Sequence, residues 1–143
     1  MPTTSDEVRA RCEAIEGGYE FMLAYAGQGL ATDQGSSSGG QIRGYLQRLD
    51  TALTGLADVF RDLVRHERLE PADRYDSFMG VLERDARDAQ AAVQIVLAQP
   101  SISSQLVDNL NASIHVRALL TDLFLIDEIA KRQTAPTTPA SAA

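Results

Sequence analysis

Apolar residues recur at alternating steps of three and four in four stretches of the chain. The first is Val8, Cys12, Ile15, Tyr19, Met22 and Ala26, and the second is Ile42, Leu46, Leu49, Leu53, Leu56, Phe60 and Leu63. The third is Tyr75, Met79, Leu82, Ala86, Ala89, Val93 and Val96, and the fourth is Ile102, Leu106, Asn109, Ser113, Val116, Leu120 and Leu123. Such spacing lines one face of a helix. Four helices of this kind can bury their stripes only against each other. The pattern therefore predicts an all-α fold, an antiparallel four-helix bundle.

Helices are predicted over about 6–26, 41–68, 71–98 and 101–132. Ser5 and Ser101 are the candidate N-caps, and Asp6 and Glu7 suit the positive end of the first helix dipole. Gly17 and Gly18 cost about 2 kcal/mol against alanine inside a helix. The stripe keeps phase across them, so one helix is expected, with close packing against a neighbour or room for a ligand. Residues 27–40 form a loop in which five of fourteen are Gly and three are Ser, and a flexible linker is expected. Residues 133–143 carry no bulky apolar side chain and are expected to be disordered. The bundle domain is accordingly 1–132.

With 143 residues, the chain can bury a sizeable core without disulfide or metal staples. Its one cysteine, Cys12, falls in the first stripe and reads as a small buried hydrophobe. The net charge is −7, and the arginines are interleaved with Asp and Glu, which disfavours nucleic acid and anionic membrane surfaces. The polar, acidic beginning has no apolar leader and no run is long enough to span a bilayer, so the expected location is cytoplasmic. Lys131 is the one lysine among thirteen basic residues, as in a GC-rich bacterial genome.

The fourth helix carries a second apolar stripe, Val107, Leu110, Ile114, Ala118 and Leu125. A bundle helix needs an apolar arc of only about 100°, so the excess predicts a self-association or docking face, most simply a homodimer. Asn109, Ser113 and Asp127 fall on the first stripe; Asn109 and Ser113 are expected to need partners in the core, while Asp127, close to the helix end, reaches water. A small-molecule site is the alternative, with Gly39, Gly40 and Arg43 at the second helix start and Asn109 and Ser113 inside the bundle. His115 is expected on a solvated side with Asp108, Asn111 and Asp122, where a phosphorelay module would present its histidine; a plain surface histidine is the simpler reading. His66 near a helix end offsets a dipole. No Glu-x-x-His occurs, so a ferritin-type metal centre is excluded. Glu13, Glu16 and Glu20 form a solvated ridge. The sequence thus reads as a non-enzymatic interaction protein (an adaptor, assembly factor or regulator) with no metal or cofactor, taking a protein partner or itself.

Overall fold

Thr3 opens the first helix. In the computed structural model, whose described residues are 3–134, its hydroxyl accepts from the Asp6 N–H at 3.0 Å, and the Asp6 carboxylate accepts from the Thr3 N–H at 3.2 Å. This reciprocal capping box starts the helix before the predicted Ser5 cap. The described residues form six helices and no strand: α1 (Thr4–Ala26), α2 (Ser37–Leu53), α3 (Leu56–His66), α4 (Ala72–Leu97), α5 (Ser104–Ala112) and α6 (Ile114–Thr134). Beyond Thr134, the segment expected to be disordered lies outside the described residues.

Two of the predicted helices are each divided. Thr54 is extended and Gly55 is left-handed, with φ 68°, which separates α2 from α3. The carbonyls released by this break find new donors. Arg11 of α1 donates to the Ala52 carbonyl at 3.1 Å and also to that of Thr54. Gln90 of α4 donates to the Asp50 carbonyl at 3.0 Å and to the Thr54 hydroxyl at 2.8 Å. The second break is at Ser113, which is extended with ψ 140° and separates α5 from α6.

The apolar stripes meet as the spacing requires. Ile15, Met22, Ile42, Leu46, Met79, Leu82, Val93, Ile102, Leu119 and Leu123 are all buried in one core. α1 packs on α2, α3 and α5, while α4 packs on α2, α3 and α6. Gly18 is buried at the α1–α2 contact, where a Cβ would sit 3.7 Å from the Tyr45 carbonyl oxygen and the Leu49 Cβ. α1 is one uninterrupted helix through both glycines, and Gly18 marks a close helix approach.

The connection after α1 differs from the expected flexible linker. α2 begins at Ser37, so residues 27–36 form the loop, and it is pinned to the α4–α5 junction. Tyr25 Oη donates to the Ile102 carbonyl at 2.6 Å, and Ser104 Oγ donates to the Tyr25 carbonyl at 2.6 Å. The Leu30 N–H donates to Ser104 Oγ and the Ser104 N–H to the Leu30 carbonyl, both at 2.8 Å. Asp33 accepts from the Ile102 N–H at 2.8 Å and from Arg43 Nε at 2.9 Å. These bonds satisfy the backbone of two connections distant in sequence, which glycine and serine content alone does not report.

Candidate docking face and adjoining clefts

The break at Ser113 turns α5 and α6 separately. Val107 and Leu110 of α5 are core residues, buried with Ser104 and Asn111. On α6, Val116, Leu119, Leu120, Leu123 and Ile126 face inward. The opposite side carries Ile114, which is 74% exposed, Leu125 at 50% and Ile129 at 37%, with Phe124 beside them at 58%. Ala118 is half-buried on the same line. The stripe predicted along one continuous helix is thereby corrected. Val107 and Leu110 belong to the core, because the extended Ser113 ends the helix that would have carried them to the surface. Ile114, Ala118 and Leu125 remain on an outward face, to which Ile129 is added.

This face adjoins a cleft of about 300 Å³ between α4 and α6, lined by Pro71, Tyr75, Phe78, Leu125, Ile126 and Ile129 among others. Along one flank of α6 stand Arg117 and Glu128, both exposed. Glu128 accepts from Arg132 Nε at 3.3 Å, and Asp127 pairs with Lys131 at 3.1 Å. Thr121, between Ala118 and Leu125, donates its hydroxyl proton to the Arg117 carbonyl at 2.9 Å. Exposed ion pairs of this kind contribute tenths of a kcal/mol and leave the apolar line beside them uncovered.

Because α6 leans on α4, a larger cleft of about 460 Å³ opens between α1, the end of α3 and α6. Its floor includes Val8, Cys12, Leu63 and Leu123, and its rim carries Arg9, Glu13, Glu16, Glu67, Asp127 and Lys131. Burial, reinforced by Glu16, Asp127 and Glu13, pushes the Cys12 thiol up to about 12. Cys12 is therefore a protonated thiol at neutral pH, lacking the thiolate that nucleophilic chemistry requires. Glu13 and Glu16 border this cleft, and Glu20 is exposed. Among the described residues, no three His, Cys, Asp or Glu side chains gather as a metal ion would need.

The residues considered for a small-molecule site do not converge. Ser36 caps α2, its hydroxyl accepting from the Gly39 N–H at 2.9 Å and its carbonyl from the Gly40 N–H at 3.0 Å. Gly39 is buried against the Asp33 backbone, where a Cβ would meet the Asp33 carbonyl oxygen at 2.1 Å, so no larger residue fits. Arg43 donates to Asp33, to the Leu97 carbonyl at 3.0 Å and to the Gln99 carbonyl at 2.7 Å. The amides and the guanidinium that would hold an anion are thus committed to the fold. Asn109 lies on the surface and accepts from Gln105 Nε2 at 3.2 Å. Ser113 ends α5, with its hydroxyl oxygen buried and without a hydrogen-bond partner. Asp127 is exposed near the end of α6, and His115 and His66 are exposed.

Two buried polar residues were expected on the solvated side. Asn111 is buried, and neither its amide oxygen nor its nitrogen has a partner. Asp122 is 8% exposed and its Oδ2 is unpartnered. Burial raises the Asp122 carboxyl to about 7, and a hydrogen bond and charge from Asp85 of α4 add to the effect. The readable signal for Asn111 was the run Asn109-Leu110-Asn111-Ala112-Ser113, rich in residues that compete with helix backbone and mark breaks. Asp122 had no local signal.

No protein-family profile, curated protein or solved structure matches this chain. The described helices include none long and apolar enough to cross a membrane.

Proposed function

We propose that the chain is a non-enzymatic interaction protein that works through the outward face of α6, and that the occupant of this face is a second copy of the chain. One observation carries the reading: Ile114, Leu125 and Ile129 are exposed on one line of a helix whose opposite side is fully buried. An isolated exposed leucine is ordinary, but aligned apolar residues beside an apolar cleft are a recognition surface. The adjoining Phe78 and Tyr75 widen the apolar area beyond one helix. A self-complementary patch is the commonest route to a homodimer.

In this reading the domain over 1–132 is an antiparallel four-helix bundle, with α2–α3 and α5–α6 each acting as one broken leg. The packing of α1 and α4 each against both broken legs supports it. The acidic balance of −7 favours a protein partner over nucleic acid or an anionic membrane, and a bacterial cytoplasmic setting is part of the same proposal, the one lysine among thirteen basic residues fitting a GC-rich bacterial genome.

Light scattering behind a sizing column tests the proposal. We expect a particle of twice the 15.5 kDa chain mass at about 50 µM, with Ile114→Glu shifting it to one chain mass while helicity is retained. A wild-type monomer at that concentration overturns the reading, as does an Ile114→Glu variant that stays dimeric.

A further inference from the structure

We infer that two copies pair their α6 helices antiparallel about a two-fold axis, with Arg117 of each copy opposite the partner's Glu128. The inference rests on the docking reading above and adds the register.

The apolar line of α6 is symmetric about one point. Ile114 and Ile129 lie at equal distances from the midpoint between Thr121 and Asp122, and so do Ala118 and Leu125. An antiparallel two-fold through that point sets Ile114 against the partner's Ile129 and the small Ala118 against the partner's Leu125. A small residue opposite a large one lets two helices approach and interdigitate. Thr121 then meets the partner's Thr121 at the centre. Its hydroxyl is suited to burial there, since it already donates to the Arg117 carbonyl at 2.9 Å within its own helix.

The charges agree with the same axis and with no other simple arrangement. Arg117 and Glu128 stand on one flank of the line, and in an antiparallel pair that flank faces its own symmetry mate. At a rise of about 1.5 Å per residue, Arg117 falls within about 3 Å of the partner's Glu128 along the axis, inside the reach of both side chains. The contact occurs twice by symmetry. Arg117 forms no ion pair among the described residues, and Glu128 has only the exposed Arg132. A parallel two-fold would instead carry this flank to the opposite side of the partner, so Arg117 and Glu128 would not meet and the charges would gain nothing. Phe124, 58% exposed on the same flank, would partly shield each ion pair from water.

Charge reversal tests the register. Arg117→Glu places a carboxylate near the amino end of α6, and Glu128→Arg places a cation toward its carboxyl end, so both changes suit the helix dipole and leave the fold intact. By sedimentation equilibrium, each single reversal should weaken the dimer about tenfold, and the double reversal should return it to within about threefold of wild type. A double variant as weak as the singles overturns the register; if Ile114→Glu still dissociates the dimer, the docking face stands without it. A wild-type chain that is monomeric at about 50 µM overturns both. Far-UV circular dichroism on each variant confirms that lost association is not lost folding.

Discussion

Replacing Asp122 with Asn should flatten the dependence of stability on pH above the acid range. The folded chain holds the Asp122 proton up to about 7, whereas an ordinary aspartate releases it at 3.8. For an acid whose affinity for its proton is raised by folding, stability is greatest below 3.8 and falls until about pH 7, after which it is level. The full interval corresponds to about 4 kcal/mol at ~1.4 kcal/mol per pH unit. Asp85 is only half-buried, so solvent screens the pair and we expect a loss of about 2 kcal/mol between pH 4 and pH 8. An Asn at this position keeps the shape and can donate to the Asp85 carboxylate without a titrating proton. Urea unfolding of both proteins at pH 5 and pH 8 reads the effect. The variant should gain about 2 kcal/mol over wild type at pH 8, a midpoint shift of about 1 M, and much less at pH 5. Other titrating groups are common to both proteins and cancel in the comparison. A variant whose midpoint falls between the two pH values as much as that of the wild type would refute the account in which buried Asp122 keeps its proton beside Asp85.

Two further predictions concern the pinned loop and the thiol. Asp33→Ala leaves the Ile102 N–H and the Arg43 guanidinium without their carboxylate, and should cost about 2–3 kcal/mol, seen as a melting temperature lower by about 6–10 °C. Because the Ile102 N–H and Arg43 hold the Asp33 carboxyl below the usual range, its contribution is present at neutral pH and lost as pH falls through that lowered value, so the variant should differ least from wild type in strong acid. Cys12, raised from 9.0 to about 12, should react with a thiol-specific reagent at pH 8 at least ~100-fold more slowly in the native protein than after denaturation in urea. Equal labelling rates would show that the thiol is open to solvent.

The helical class and most of the core were legible because the three-and-four spacing is a local property of the chain. Ile15, Met22, Ile42, Leu46, Met79, Leu82 and Val93 are buried as that spacing demands. The breaks were not legible in the same way, since the stripe from Leu53 to Leu56 and Phe60 keeps phase across an extended Thr54 and a left-handed Gly55. The cost of ignoring a break appears at Asn109 and Asn111. A helix continued through Ser113 turns Asn109 inward, whereas the helix that ends there buries Asn111. Three of the four apolar residues of the proposed line, Ile114, Ala118 and Leu125, are readable from the sequence. Val107 and Leu110 were misplaced because their surface position depended on that same continuity. The anchoring of the loop is illegible for a different reason. Asp33, Arg43 and Ile102 are far apart in sequence, and no local pattern reports that one carboxylate joins them.

Ser113 also divides the loads that its two helices bear. α5 is held by α1 and by the hydrogen bonds at Tyr25, Leu30 and Ser104, while α6 answers mainly to α4. The chain therefore contains a natural seam. Local opening should begin with α6 peeling from the α1 side, where the 460 Å³ cleft already parts them, and should stop at Ser113. Amide exchange along the chain would then step at that residue, faster on the α6 side and slow through α5.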